Sequence, residues 1–351
     1  MRPPAAQLHR ILESGIQAPS AENKHYLRFR VSDESVQLLT TDRTTWFERP
    51  HRRMLALLSY GAVIENIALR SAELQCELTI DPWPDADQPD LVADLRWSAI
   101  PATPDPLVHA IEDRHTNRRF YRRAPIGTPA LAHLSAAVDA VPGATLLWLD
   151  DPRRRALALK AIRIAETERF RCRALHDELF GAIRFELGWQ DTSDEWLPPA
   201  ALQVEAPMRA PFAVMRRWGV MRTANWFGAH VALGLRAGYL PCALAPHLGL
   251  ILARAPREDL ENLQAGRAFE RVWLAATAQG IALQPMAAPT ALVRQSPGRG
   301  WVRAHVRAEL EALLGALPVA DDVQPYLLFR VGRAAAPSVV TGRRPLADYL
   351  D

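Results

Sequence analysis

Two short segments of the chain carry arginines, hydroxyls and amides with the spacing of an anion-binding site. In one of them, Arg114, Thr116 and Arg118 lie within five residues. A planar guanidinium group can bind two phosphate oxygens at once, and a nearby hydroxyl adds a further hydrogen bond. The alternative interpretation is a solvated run of surface charge. The spacing therefore predicts a phosphate-binding site only if the folded chain leaves these side chains accessible to a ligand.

The second segment reads Ala-Pro-Ser-Ala-Glu-Asn from residue 18 to residue 23. Ser20 and Asn23 can reach polar ligand atoms from a loop, and Pro19 stiffens that loop. Ser20 could equally close a turn. In a third segment, residues 276–286, Gly280 could let the backbone approach a flat ring closely, or it could simply end a helix before a strand.

The hydrophobic pattern indicates which elements position these segments. Residues 26–40 are typical of a β-hairpin, and residues 78–106, which are rich in proline and aspartate, indicate a connector with one short strand. That strand is expected near 91–97, further strands near 144–150 and 325–332, and a loop over 294–300. Helices are predicted over 5–17, 51–75, 106–113, 127–140, 153–172, 227–238, 257–279 and 301–314.

Residues 173–226 differ from the rest of the chain because they combine many aromatic residues with helix-breaking prolines. We interpret this stretch as an insertion with short helices. Its aromatic side chains could cover a binding site as a lid, or they could pack a helical subdomain of their own. The residues concerned are Phe180, Phe185, Trp189, Trp196, Phe212, Trp218, Trp226 and Phe227.

A weak internal repeat relates two predicted helices. Residues 61–69 resemble residues 266–274, with a glycine, a glutamate and a leucine at matching positions, and Leu78 then matches Leu283 at the same offset. Chance similarity between two apolar helices is the alternative explanation.

Composition excludes several classes of protein. The 351 residues are 49% hydrophobic and 23% charged, which is typical of a globular protein. The net charge of +3 gives no strong electrostatic footprint for nucleic acid. No stretch has the roughly 18 consecutive apolar residues of a transmembrane helix, so we expect no membrane partner. Three widely spaced cysteines and the lack of a secretion signal favour the cytoplasm.

Familiar catalytic motifs are missing from the sequence. It contains no dinucleotide-binding or P-loop glycine pattern, no nucleophile-elbow serine and no zinc-protease histidine pair. The histidines and cysteines show no metal-ligand spacing, so we expect no metal site.

In their order, these segments resemble the motifs of the flavin-dependent nitroreductase family. The segment beginning at Ala18 is similar to its APSxxNxQPWRF loop, residues 114–120 to its RRSxRxF segment, residues 276–281 to its segment beside the flavin, and Arg343-Arg344 to its basic tail. The first two motifs occur in the order of the fused, two-half Acg-like subfamily. Two departures are His115-Thr116 for Arg-Ser, and Lys24-His25-Tyr26 for Gln-Pro-Trp.

The resemblance implies an α+β fold with a mainly antiparallel sheet surrounded by helices. It also implies two pseudo-symmetric halves that imitate the family homodimer, residues 1–108 and 109–351, so the chain could act as a monomer. Half two has Val141-Pro142-Gly143-Ala144 in place of the serine and asparagine loop, and Gln75 occupies the position of Gly280 in half one. We therefore expect one working flavin site per chain and one degenerate site.

The resemblance further implies non-covalent FMN, with NAD(P)H and a small electron-poor acceptor using the same place in ping-pong order. A flavin-binding protein without turnover, which sequesters FMN under a covered site, is the alternative. No catalytic side chain is implied. The cofactor-binding residues implied are Pro19, Ser20, Asn23, Arg114, Thr116, Arg118, Gln279, Gly280, Arg343 and Arg344.

Overall fold

The strands of the computed structural model form two antiparallel sheets with the same order. The structure describes residues 2–98, 100–254, 256–294, 301–318, 320 and 322–351. Within these residues, one four-stranded sheet has the order β1-β2-β4-β3 and the other the order β5-β6-β8-β7. The α+β class with antiparallel sheets surrounded by helices is thus confirmed. The strands are β1 (Leu27–Val31), β2 (Ser35–Thr40), β3 (Glu77–Pro82), β4 (Leu91–Ser98), β5 (Ala144–Trp148), β6 (His247–Ala253), β7 (Ala282–Met286) and β8 (Gln324–Gly332).

The helices surround these sheets, and several start or stop where the sequence predicts. The longest, α3, begins with Pro50 at its first turn, where a missing N–H costs nothing. No helix of the described residues is long and apolar enough to span a bilayer. The helices are α1 (Ala5–Ile16), α2 (Arg43–Glu48), α3 (Pro50–Glu73), α4 (Thr128–Val138), α5 (Pro152–Arg171), α6 (Arg173–Gly181), α7 (Arg209–Val214), α8 (Trp218–Trp226), α9 (Ala229–Gly234), α10 (Leu240–Ala243), α11 (Glu258–Ala278), α12 (Ala288–Val293) and α13 (Ala304–Gly315).

Helices α3 and α11 cross at the centre of the molecule through the two glycines of the sequence repeat. A Cβ atom on Gly61 would lie 2.9 Å from the Arg267 nitrogen, and one on Gly266 would lie 2.8 Å from the Leu58 Cα. Both distances are shorter than ordinary van der Waals contact. Only glycine therefore permits this approach of the two backbones.

The two helices also end alike. Gln75 follows α3 with φ of 59°, and Gly280 follows α11 with φ of 62°. Each of these residues therefore occupies the left-handed region that closes a helix C-terminus.

Several elements differ from the sequence-based expectation, among them two strands, one predicted helix, and the short helices α2 and α12, which were not predicted. The predicted connector contains the edge strand β3. This strand includes Asp81 and Pro82, which are residue types depleted in strands, so its sequence is typical of a connector. Strand β6 is buried along its whole length and carries a nearly continuous apolar run, which periodicity cannot distinguish from a helix. The predicted helix over 106–113 is the shorter 3-10 helix Pro106–Ala110. Of the predicted loop over 294–300, residues 295–300 lie outside the described residues.

The segment between β5 and β6, residues 149–246, includes the predicted insertion and has no counterpart between β1 and β2. We call this whole segment the insertion from here on. Helices α5 to α10 all lie there, together with the 3-10 helices Pro199–Leu202 and Ala206–Met208 and the π-helix Leu235–Tyr239. Phe170, Phe180, Ile183, Phe212 and Met221 form a buried apolar cluster of their own within it. The insertion therefore has its own small core.

The C-terminal tail packs against the first sheet and its helices. Leu346 and Tyr349 belong to the same apolar cluster as α1, β1 and α3, and Leu350 makes a parallel bridge to Phe29 of β1. The tail thus closes an edge of the first sheet.

Candidate functional site

A cavity of about 530 Å³ lies where α3, α11, the β7–α12 corner and the insertion meet. This volume falls in the range of small-molecule and cofactor pockets, roughly 300–1,000 Å³. Its lining is mostly apolar, with a few polar and charged groups among the apolar side chains. This composition is typical of a site that orients a largely flat or apolar ligand by a small number of hydrogen bonds.

The loop after α1 forms one wall of the cavity and is held by two buried side chains. Ser59 donates a hydrogen bond from its hydroxyl to the Pro19 carbonyl at 2.9 Å. The Nε2 of His25 lies 3.1 Å from the carbonyl oxygens of Ile16 and Ala18. Burial lowers the pKa of His25 to about 3, so the ring is neutral and acts as a fixed clamp. The loop is therefore preorganised at the cavity edge.

Ser20, Thr116 and Arg118 converge on the cavity from two distant parts of the chain. The Ser20 hydroxyl is buried and makes no hydrogen bond. Such a buried polar group costs roughly 1–3 kcal/mol unless a ligand or water satisfies it. The Arg118 guanidinium donates to the Ala201 carbonyl at 3.2 Å and has no carboxylate within ion-pair distance in the described part of the chain. Burial lowers the pKa of Arg118 to about 10, so it stays positive at neutral pH.

The β7–α12 corner contributes the opposite wall with residues 284–288. Arg330, which is fully buried, supports this corner: its Nε donates to the Gln284 side chain at 2.8 Å, and it also donates to the carbonyls of Arg119 and Pro241. The guanidinium lies 3.9 Å from the centre of the Tyr121 ring. Arg330 therefore positions Gln284 without lining the cavity itself.

A second cluster of charges lies beside the same loop. Arg52 is shared between Glu178, at 2.5 Å, and Glu22, at 3.5 Å, and His51 lies 3.1 Å from Glu178. Burial raises the pKa of Glu22 to about 7, with Glu178 adding to the rise while Arg52 and Arg169 oppose it. The Glu22 carboxyl can therefore hold a proton near neutral pH. Its backbone has φ of 60°, a left-handed strain that recurs at ligand sites.

The insertion forms the remaining, largely apolar wall. Phe170, Phe212 and Leu233 line it, and at its edge Arg236 pairs with Glu205 at 2.5 Å. Helix α9, which ends two residues before Arg236, approaches α5 closely. A Cβ atom on Gly234 would lie only 2.6 Å from the Thr167 hydroxyl oxygen. The insertion is thus both a packed subdomain and a wall of the cavity.

Arg114, which the sequence analysis places at the phosphate, points elsewhere. Its guanidinium donates to the Gln17 carbonyl at 2.8 Å, lies 3.3 Å from a Glu270 carboxylate oxygen and stacks 4.5 Å from the centre of Trp273. Burial raises the pKa of Glu270 to about 7, and Arg114 opposes that rise. In this structure Arg114 links the end of α1 to α11 rather than lining the cavity.

Asn23, Arg343 and Arg344 join the C-terminal tail to the loop instead of facing the cavity. Arg343 donates to the carbonyls of Ile16 at 3.0 Å and Ala18 at 2.8 Å, and to the Asn23 side chain. Arg344 is half-exposed and pairs with Glu195 and Asp348.

Gln279 and Gly280 also lie outside the cavity lining. They end α11, where the Gly280 N–H donates to the Thr277 carbonyl at 2.9 Å. Of the ten sequence-predicted residues, the structure therefore brings four to the cavity: Pro19, Ser20, Thr116 and Arg118.

Apart from Arg118, the charged side chains of the cavity were not predicted from the sequence, and neither was the corner at residues 284–288. The corner could have been predicted, because Pro285 and Met286 are the last residues of the third motif segment, 276–286. No sequence signal marks Glu166, Arg169 and Glu178, because they lie on helices without a recognisable motif. No cluster of described residues could hold a metal ion. Burial raises the pKa of Cys242 to about 12, which makes its thiol a poor nucleophile.

Fold and cavity together define an α+β protein whose two sheets have the same strand order and whose described residues enclose a cavity of cofactor size. No protein-family model matches the chain. Two curated proteins of Mycobacterium tuberculosis, from strains CDC 1551 and H37Rv, are each named "Putative NAD(P)H nitroreductase". Each is 26% identical over 363 residues, covering 99% of this chain and 92% of the relative.

Solved structures with similar folds include nitroreductases crystallised with FMN. One from Bacteroides fragilis with bound FMN is 14% identical, covers 68% of this chain and 94% of its own, and has a TM-score of 0.38. An FMN-dependent nitroreductase of Mycobacterium smegmatis in complex with NADPH is 17% identical, with the same coverage and a TM-score of 0.36. On the similarity that spans its whole length, the chain fits the nitroreductase family.

Proposed function

We propose that the chain is an FMN-dependent oxidoreductase of nitroreductase type, with FMN bound in the cavity. One observation carries the proposal. The cavity brings Ser20 of the first half together with Thr116 and Arg118 of the second, three residues selected from sequence motifs alone. The whole-length similarity to proteins named as NAD(P)H nitroreductases supports the same activity.

The residues of the cavity fit a flavin nucleotide by their chemistry. Arg118, a partly exposed cation without a carboxylate partner in the described residues, and Thr116 would hold the phosphate or ribityl chain. The unsatisfied Ser20 hydroxyl would gain a partner. The apolar wall and the corner at 284–288 would exclude water from a flat ring. Bound FMN would supply the capacity to take a hydride from NAD(P)H and pass it to an electron-poor acceptor.

We expect ping-pong kinetics, because one cavity would serve both NAD(P)H and the acceptor. Burial raises the pKa of the Glu22 carboxyl in that cavity to about 7, so this group is partly protonated at neutral pH. The alternative function, FMN sequestration without turnover, is favoured by the insertion, whose helices cover one side of the pocket. The cytoplasmic location also stays a prediction.

We also propose that the chain arose by internal duplication and works as a monomer with one flavin. The equal strand order of the two sheets and the paired glycines at the α3–α11 crossing support this idea. Half two has Val141-Pro142-Gly143-Ala144 where half one has its serine and asparagine loop. We therefore expect the second site to be degenerate.

An absorption spectrum of the purified protein tests the proposal, followed by anaerobic addition of NADPH and then NADH. A yellow protein with one FMN per chain that bleaches rapidly supports the oxidoreductase. A yellow protein that stays oxidised supports sequestration. A colourless protein that cannot be reconstituted with FMN contradicts both.

A matched pair of arginine variants then tests where the cofactor lies. Arg118→Gln should weaken FMN binding by roughly 10- to 150-fold, because a hydrogen bond to a charged group contributes about 1.5–3 kcal/mol. Arg344→Gln removes an arginine outside the cavity and should leave the dissociation constant nearly unchanged. Equal effects of the two substitutions, measured by fluorescence titration of FMN, would place the cofactor elsewhere.

A further inference from the structure

The turn between α8 and α9 presents an apolar surface to solvent. Trp226 is 80% exposed and Phe227 88% exposed, although both are large aromatic residues. Val220 and Val231, at 38% and 42% exposure, flank them on the two helices. We refer to these four residues as the aromatic tip. Side chains of this size are normally buried unless they mark an interaction surface.

The inner face of the same helices explains why the tip points outward. Met221 is fully buried in the insertion core, and the Asn225 side chain donates to the Phe170 carbonyl at 3.1 Å. Gly228, with φ of 83°, turns the chain sharply between the helices. The tip is therefore held rigidly in place rather than being a loose loop that could fold back.

The surroundings of the tip are positively charged. Residues 206–246 contain five arginines and no aspartate or glutamate, whereas the whole chain carries a net charge of only +3. Arg216, Arg217 and Arg222 are exposed, and none has a carboxylate within ion-pair distance among the residues that the structure describes. Exposed aromatic rings beside arginines that have no carboxylate partner are characteristic of surfaces that bind in the headgroup region of an anionic bilayer.

Two other occupants fit less well. A second copy of this chain would bring the arginine-rich surfaces together in a symmetric contact, and the like charges would repel. A nucleic acid would use the aromatic rings for stacking, but the two valines of the tip have no such role. An anionic lipid surface uses both the aliphatic and the aromatic side chains, together with the arginines.

We propose that the aromatic tip docks this protein on anionic phospholipid surfaces, as a peripheral protein that does not span the bilayer. This goes against the sequence-based expectation of no membrane partner. The tip is continuous with the cavity, since Ala229, Ala232 and Leu233 of α9 line the apolar wall. Docking would therefore bring that wall near the bilayer, where apolar small molecules concentrate. The proposal does not depend on FMN.

Sedimentation of the full-length protein with sucrose-loaded vesicles tests the proposal. We expect binding to phosphatidylcholine vesicles that contain one third phosphatidylglycerol, weak binding to pure phosphatidylcholine, and loss of binding at high salt. The triple variant Arg216→Gln, Arg217→Gln, Arg222→Gln should bind about 100-fold more weakly, at about 1 kcal/mol for each arginine. The double variant Trp226→Ser, Phe227→Ser should bind at least about tenfold more weakly.

Matched controls keep the result specific to the tip. Ile100→Ser removes another exposed apolar side chain, and Arg122→Gln, Arg123→Gln, Arg153→Gln removes three exposed arginines elsewhere. Both controls should bind like the unaltered protein, and circular dichroism should show that every variant is folded. Light scattering of the free protein checks for a dimer.

Several outcomes would overturn the proposal. It is wrong if anionic vesicles bind no better than neutral ones, or if the controls lose as much binding as the tip variants. It is also wrong if the protein is a dimer that the tip double variant dissociates. Tighter binding of a single-stranded oligonucleotide than of the vesicles would assign the surface to nucleic acid instead.

Discussion

The crossing of α3 and α11 makes a quantitative prediction about Gly266. A Cβ added there would lie 2.7 Å from the Leu58 carbonyl carbon and 2.8 Å from its Cα, whereas ordinary contact begins near 3.4 Å. Both neighbours are backbone atoms in the middle of α3, so no side chain can rotate away. The helices must therefore separate by roughly 0.6 Å or more, and this opens gaps in the packing on either side.

We expect Gly266→Ala to lower the free energy of unfolding by about 1–3 kcal/mol, which is typical of overpacking in a close-packed core. Alanine favours a helix over glycine by about 0.5–1 kcal/mol, and this gain is smaller than the cost of overpacking. Gly315→Ala is the matched control, because nothing lies within 4 Å of a Cβ at the end of α13. That substitution should be neutral or stabilise by about 0.5 kcal/mol.

The double variant sharpens the test. Gly61→Ala would meet the backbone of α11 at the same crossing. One separation of the helices relieves both clashes, so the double variant should cost less than the sum of the single variants by about 0.5 kcal/mol or more. Urea denaturation followed by circular dichroism measures the unaltered protein and all four variants. If Gly266→Ala unfolds at the same urea concentration as Gly315→Ala, the close crossing is refuted.

Two further predictions concern the cavity. The pKa of Glu22 is raised from 4.5 to about 7, so the stability it contributes is complete below pH 4.5 and is lost as the pH rises through 7. Relative to Glu22→Gln, the unaltered protein should lose up to about 3 kcal/mol between pH 4.5 and pH 8.5, and a pH-independent difference in urea unfolding would contradict this. Arg330→Met removes the support of Gln284 and should cost at least about 2 kcal/mol of stability while also weakening FMN binding. Unchanged FMN affinity in a titration would show that Arg330 does not position the corner.

The sequence predicted the elements whose pattern is strong. Helices α1, α3, α5 and α11 lie where the apolar spacing indicates, because a one-sided apolar stripe must be buried whatever the partner is. The β1–β2 hairpin followed from two β-rich runs around a short polar turn. Strands β3 and β6 did not follow, because the first is a polar edge strand and the second is apolar on both faces.

The candidate site was also predicted only in part from the sequence. Ser20, Thr116 and Arg118 were found from residue types at short spacing, and they line the cavity. The partners of Arg114 and Arg343 could not be predicted from the same reasoning. A guanidinium group binds a backbone carbonyl as readily as a phosphate, and only the position of the carbonyls at the end of α1 decides which is in reach.

The sequence by itself determined the α+β class, the resemblance to the nitroreductase family and the segments that could bind an anion. The fold class was implied by the resemblance, and the resemblance rests on short motifs, each of which can be recognised from residues close together in the chain. The tertiary structure alone decided that loop 19–22, the pair Thr116 and Arg118, and residues 284–288 enclose one cavity, and that Trp226 and Phe227 point into solvent. These outcomes depend on which surfaces of distant segments pack together, because burial is settled by contacts that local spacing does not encode.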